Sequence, residues 1–215
     1  MGGTELRSVP DPLVRNNQFL NQEGFIQVFT PKIVASGTEG GTELFALQYF
    51  EEKAYLAQSP QFYKQMLVGA GYERVYEVGQ VYRAEKHSTS RHLNEYVSLD
   101  LEMGFIESEH DIMDLQTRLL RHMFAQVQAT CGQELETLGA RVPHVTTIPR
   151  IPLAKALELL KTQYGKTHEE PDLDPQGERL LSEYVLEHMK SELVYVTDYP
   201  WKKRPRSEEH TSELQ

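Results

Sequence analysis

Cysteine is almost missing from this sequence: Cys131 is the only one in 215 residues. One thiol excludes an internal disulfide framework and suits a reducing compartment, so a cytoplasmic location is expected. Long apolar runs are missing as well. No stretch approaches the roughly 18 consecutive apolar residues needed to cross a bilayer, and residues 1–10 hold no apolar signal core. Neither a membrane span nor secretion is expected. Positive charge is in deficit: 22 Lys and Arg face 32 Asp and Glu, a formal net charge of −10. Non-specific nucleic-acid binders are usually basic, because phosphate neutralisation drives their affinity. Any nucleic-acid partner must therefore use local patches or a region outside this sequence. A glycine-rich Rossmann or P-loop fingerprint is also absent, so a nucleotide would have to be held another way.

What is present is a globular balance, 39% hydrophobic and 25% charged, enough for one domain or a large part of one. Asp11-Pro12 reads as a helix N-cap with proline at the first helical position, and Gly24 reads as the stop. A helix is predicted over 13–23 and a strand over 25–29, ended by Pro31. Residues 36–42 are too glycine-rich for an element and read as a loop. A hairpin is predicted from 45–49 and 54–57. Ser59-Pro60 opens a helix that runs to about Ala70, with Gly71 as its stop.

Two long strands are predicted over 75–85 and 96–105 from their alternation. Val97, Leu99, Leu101, Met103 and Phe105 share one face, which is expected to pack on helices. Ser98, Asp100, Glu102 and Gly104 share the other. On the first strand Arg83 and Glu85 share a face with Val75, Glu77, Gly79 and Val81. The polar loop 86–94 between the strands is longer than a tight turn. Ser108 to Asp111 resembles a capping box and opens a helix with Ile112, Leu115, Leu119 and Met123 as its core stripe. Helices over 152–164 and 175–189, the latter capped by Asp174, and a strand over 193–197 complete the prediction. This order of elements predicts an α+β fold, an antiparallel sheet flanked by helices, with the two long strands as antiparallel neighbours.

The chemistry concentrates in Val81-Tyr82-Arg83-Ala84-Glu85, a loop, then Arg91-His92-Leu93-Asn94-Glu95. Guanidinium forks suit phosphate and carboxylate oxygens bidentately, and a carboxylate such as Glu85 can accept from an exocyclic amine. The set fits a purine nucleotide lying on a sheet. It fits equally a surface cluster of ion pairs, and the residues alone leave both readings open.

The segment resembles motif 2 of class II aminoacyl-tRNA synthetases: an arginine–acid strand, a variable loop, then a strand carrying an acid. Residues 24–31 (GFIQVFTP) resemble motif 1, and 36–45 (SGTEGGTELF) the loop that closes over the amino acid. Residues 56–65 (LAQSPQFYKQ) are similar to the amino-acid recognition segment of aspartyl-tRNA synthetases of the archaeal and eukaryotic type. The resemblance covers roughly 11–205. It implies that Arg83 holds the ATP α-phosphate and the substrate α-carboxylate, and that Glu85 reads the adenine amine. His92, with Arg91 nearby, would contact the outer phosphates. Asp100 and Glu39 would bind the substrate ammonium, Gln61 would assist, and Lys64 would pair with the substrate's side-chain carboxylate. Taken alone, Lys64 would be an ordinary solvated helix lysine and Gln61 a first-turn polar residue.

The implied reaction is attack of the aspartate carboxylate on the α-phosphate of ATP, loss of pyrophosphate, and transfer of the adenylate to tRNA-Asp, with tRNA-Asn as a possible second acceptor. ATP and Mg2+ are the implied cofactors and a homodimer the implied assembly. The same resemblance places a second ATP-binding arginine and the principal metal-binding acids beyond Pro205. Residues 1–205 are therefore expected to be a partial catalytic domain that is inactive alone. Residues 206–215 (RSEEHTSELQ) match a translated sequencing adapter and are expected to be a non-native tail. Competing expectations are an asparaginyl-tRNA synthetase, a tRNA-independent paralogue that forms an amide, and a non-catalytic binding relative. Lys64 separates the first of these from the aspartyl reading. His87, His110, His122, His144 and His188 show no ligand spacing and are assigned, with Cys131, to surface or packing.

Overall fold

A computed structural model describes residues 12–37, 44–84 and 93–200, and the chain divides into two units, Met1–Ile112 and Met113–Gln215. The expected N-cap Asp11, part of the loop 36–42 and the tail 206–215 lie outside the described residues.

In the first unit, helix α1 (Pro12–Gln22) begins with the predicted proline and buries Leu20 completely. Gly24 ends it at φ +83°, a conformation that glycine adopts without a Cβ clash. The Arg74 guanidinium then donates to the Glu23 carbonyl at 2.7 Å. The strand expected over 25–29 shortens to β1 (Ile26–Gln27); the Val28 N–H still donates to the Tyr76 carbonyl at 2.8 Å, and Phe29 to Pro31 carry no strand. β2 (Ile33–Val34) follows, then β3 (Ala46–Tyr49) and β4 (Glu52–Leu56), the expected hairpin, turned at Phe50 with φ +53°. β2, β4 and β3 form a three-stranded antiparallel sheet in that order. Helix α2 (Gln61–Gly69) starts where Ser59-Pro60 predicts, with the Gln61 N–H donating to Ser59 Oγ at 3.2 Å.

The two long strands are β5 (Arg74–Tyr82) and β6 (Glu95–Met103). They pair antiparallel over their full length, with Glu77 opposite Asp100 and Val75 opposite Glu102. β1 joins β5 in parallel, so this sheet is mixed rather than wholly antiparallel. The face read as apolar is only partly covered. Tyr76 is fully buried there, but Val97 is 51% exposed, and Phe105 lies past the strand end at 81%.

Helix α3 (Glu109–Thr130) opens as the capping box predicts: Asp111 Oδ2 accepts from the Ser108 and Glu107 N–H groups. Its stripe differs by one position at the start. Met113, Leu115 and Leu119 are buried, whereas Ile112 is exposed.

The second unit continues with α4 (Gly132–Leu138), which the sequence reading missed, then β7 (Arg150–Pro152), α5 (Leu153–Tyr164), α6 (Pro175–Tyr184) and β8 (Tyr195–Thr197). β7 and β8 pair in parallel. The helix predicted over 175–189 relaxes into a π-helical turn at Val185–Met189. Ile151, Ala156, Leu160, Leu181 and Val185 form the core. Asp174 caps α6 as expected, accepting from the Gly177 N–H at 2.7 Å.

Candidate active site

The face of the β5–β6 pair that carries Glu77, Gly79, Ser98, Asp100 and Glu102 is where the sequence-predicted residues meet. Helix α2 lies against it, and Gly104 permits the approach: a Cβ there would stand 2.5 Å from Val68 Cγ1. Lys64, one turn into α2, points into the sheet and is 2% exposed. It is therefore no solvated helix lysine. A buried ammonium is tolerable only when paired and hydrogen-bonded, and Lys64 has three acceptors. Its Nζ contacts Asp100 Oδ1, lies 3.3 Å from Glu102 Oε2 and donates to the Leu101 carbonyl at 3.1 Å. Gln61 Nε2 donates to Glu102 Oε2 at 3.4 Å. Gln61, Lys64 and Asp100 are thus joined in one network, with Glu102 as a member that the sequence reading placed on the face but assigned no role.

A second network lies beside the first. Glu77 is 2% exposed. Its carboxylate accepts from the Thr30 N–H at 2.9 Å, from Thr30 Oγ1 at 2.7 Å and from Lys32 Nζ at 2.9 Å. Lys32 also reaches Thr30 Oγ1 at 3.2 Å. Local spacing does not predict this cluster, because Thr30 and Glu77 lie 47 residues apart in sequence. The available signal was Glu77 on an otherwise apolar stretch of strand. Across the two networks three carboxylates, Glu77, Asp100 and Glu102, face two ammonium groups, Lys32 and Lys64. The floor carries a surplus negative charge, suited to a ligand that brings an ammonium.

Arg83 follows the last residue of β5, is partly buried, and its N–H donates to the Asn94 carbonyl at 2.9 Å, extending the ladder by one step. Glu39, Glu85, Arg91 and His92 lie outside the described residues. Two clefts open elsewhere, one of about 410 Å³ lined by Val34, Ser36, Phe62 and Met66, the other of about 450 Å³ along Lys166 to Asp174. Among the described residues no cluster of three or more His, Cys, Asp or Glu could hold a metal ion, and no helix is long and apolar enough to cross a membrane.

Residues 13–215 match the family model for tRNA synthetases class II (D, K and N). The chain is 54% identical over 187 residues to the aspartate–tRNA(Asp/Asn) ligase of Deinococcus radiodurans, covering 86% of this chain and 43% of that protein. It is 46% identical over 189 residues to the aspartate–tRNA(Asp) ligase of Pyrococcus abyssi, covering 87% of this chain and 43% of that protein. Among solved structures, it is similar to the asparaginyl-tRNA synthetase from Pyrococcus horikoshii complexed with asparaginyl-adenylate. The TM-score is 0.68 at 30% identity, covering 80% of this chain and 40% of that one. The chain spans less than half the length of these relatives.

Proposed function

Because the chain belongs to the class II tRNA synthetases of the D, K and N group, we propose that it carries the amino-acid side of an aspartate–tRNA ligase site. The observation that carries this reading is Lys64, a buried ammonium between Asp100 and Glu102. Aspartate brings an ammonium and two carboxylates. The side-chain carboxylate takes Lys64, and the ammonium takes the acceptor position at Asp100 that Lys64 gives up, with Glu39 as a second acceptor. Ion pairs are exchanged rather than lost. Gln61 orients the substrate from the first turn of α2. Arg83 holds the α-carboxylate and the ATP α-phosphate, Glu85 reads the adenine amine, and Arg91 and His92 meet the outer phosphates.

The proposed reaction joins the α-carboxylate of aspartate to the α-phosphorus of ATP and expels pyrophosphate. The terminal ribose of tRNA-Asp, or of tRNA-Asn, then attacks the acyl carbon and releases AMP. Positioning and charge stabilisation carry such chemistry more than a protein base does. The reading implies ATP with Mg2+. Asp100 and Glu102 are engaged by Lys64 and the described residues offer no metal cluster, so no step is assigned to a metal held by them. A homodimer and a cytoplasmic location belong to the same proposal.

The test is Lys64→Met in a protein containing this chain, followed by aspartate-dependent ATP–pyrophosphate exchange. At about 4 Å and an effective dielectric of about 20, a unit ion pair is worth roughly 4 kcal/mol before desolvation reduces it. Exchange should fall by orders of magnitude; unchanged exchange would refute the role. The likeness to an asparaginyl enzyme favours asparagine as the second reading. An amide cannot neutralise Lys64, so asparagine should not support exchange. Exchange with asparagine but not with aspartate selects that second reading.

A further inference from the structure

We infer that Lys32 and Glu77 act as a positioning pair that sets the charge of the amino-acid pocket, although neither occupies a place where substrate is proposed to bind. The inference rests on the aspartate reading of the site. Glu77 and Asp100 are direct cross-strand partners, and such partners bring their Cβ atoms to about 4.5–5.5 Å, where like charges destabilise each other. Glu77 is nearly inaccessible to water, so solvent does little to screen its carboxylate. Its charge is met from the segment just past β1, by Lys32 Nζ and by the N–H and hydroxyl of Thr30.

The groups facing Glu77 divide the work. Lys32 comes from the chain after β1, Asp100 from β6, and Lys64 from α2 reaches Asp100 and Glu102 but not Glu77. While Lys32 holds Glu77, the only carboxylates on Lys64 are Asp100 and Glu102, and it can be surrendered to an incoming carboxylate. Without Lys32, Glu77 becomes an uncompensated anion beside the pocket. It would compete with the substrate's side-chain carboxylate for Lys64. Gly79 keeps the pair together, since a Cβ there would stand 3.2 Å from both Glu77 Oε1 and Lys32 Nζ. The arrangement therefore separates two jobs that three clustered carboxylates would otherwise confuse, holding a strand in place and holding a ligand.

The experiment compares Lys32→Met, Glu77→Gln, the double variant and the charge-keeping Lys32→Arg, by calorimetric aspartate binding, with chemical denaturation of each. One more carboxylate competing for Lys64 should raise the aspartate Kd about tenfold in Lys32→Met. The double variant and Lys32→Arg should both bind within a few-fold of the parent. A purely structural pair predicts otherwise: the double variant would be no better than Lys32→Met. That result overturns the inference, as does unchanged binding in Lys32→Met. If the parent protein binds no aspartate, the proposed function fails, and this inference fails with it.

Discussion

A lysine that is 2% exposed stays buried only by virtue of its partners. The sequence pattern marked Lys64 and Asp100 as members of one site but not as partners of each other, since contact between a helix and a strand 36 residues on is a property of the packed fold. The Thr30–Lys32–Glu77 cluster left no trace in local spacing for the same reason. His168 also went unmarked: its side chain is 7% exposed, and its Nε2 lies 3.6 Å from Asp174 Oδ1. Caps were legible, because their chemistry is local. Asp174 and Asp111 were both assigned from sequence, and both are held below the usual carboxylate range. For Asp174 the causes are first the Lys166 ammonium and then the Gly177 N–H, and for Asp111 the N–H groups of Ser108 and then Glu107. A carboxyl with a depressed folded pKa contributes stability above its unfolded value, and that stability is lost as pH falls through the folded value. The contribution of these two carboxylates to thermal stability should therefore be level from neutrality to about pH 5 and decline below about pH 4. Asp174→Asn retains a capping oxygen but removes the charge. In a melting series over pH it should show a shallower acid decline, and an unaltered decline would show that Asp174 plays no part.

Elements with a clear period were the ones that could be read in advance. β5 and β6 alternate over nine residues each, and their pairing follows. β2 and β7 have two and three residues, too few to establish a period, and exist because β4 and β8 supply partners. The parallel pairings of β1 and β8 depend on which strand end is nearby, which alternation does not encode. The α2–β6 contact, which Gly104 permits beneath Val68, is likewise not encoded in alternation. Gly104→Ala would place its methyl 2.5 Å from Val68 Cγ1, and overpacking of this kind costs about 1–3 kcal/mol. Because Val68 is β-branched, its side chain has little freedom to turn aside. Urea denaturation should show that loss in Gly104→Ala and its partial recovery in the double variant with Val68→Ala. A Gly104→Ala protein as stable as the parent would mean that α2 shifts freely, and that Lys64 is less fixed than its contacts imply.

At the scale of the whole molecule, the first unit exposes Ile26 at 49%, Phe29 at 80% and Ile33 at 57% within eight positions. These lie in and beside the segment that resembles motif 1, and exposed apolar residues grouped in this way mark surfaces that seek a partner. Light scattering on a protein that contains this chain and has the length of its relatives should give a dimer, and Phe29→Glu should weaken it. A monomer at micromolar concentration would remove the dimer from the proposal. The two units also carry their own reporters. Lys64 in the first and His168 in the second are reactive nitrogen groups shielded from solvent. An amine-acylating reagent reaches Lys64 only when the first unit opens, and an imidazole-modifying reagent reaches His168 only when the second does. Mass-spectrometric timing of the two modifications in one sample gives two clocks, and their ratio tells whether the halves of the chain open together or separately.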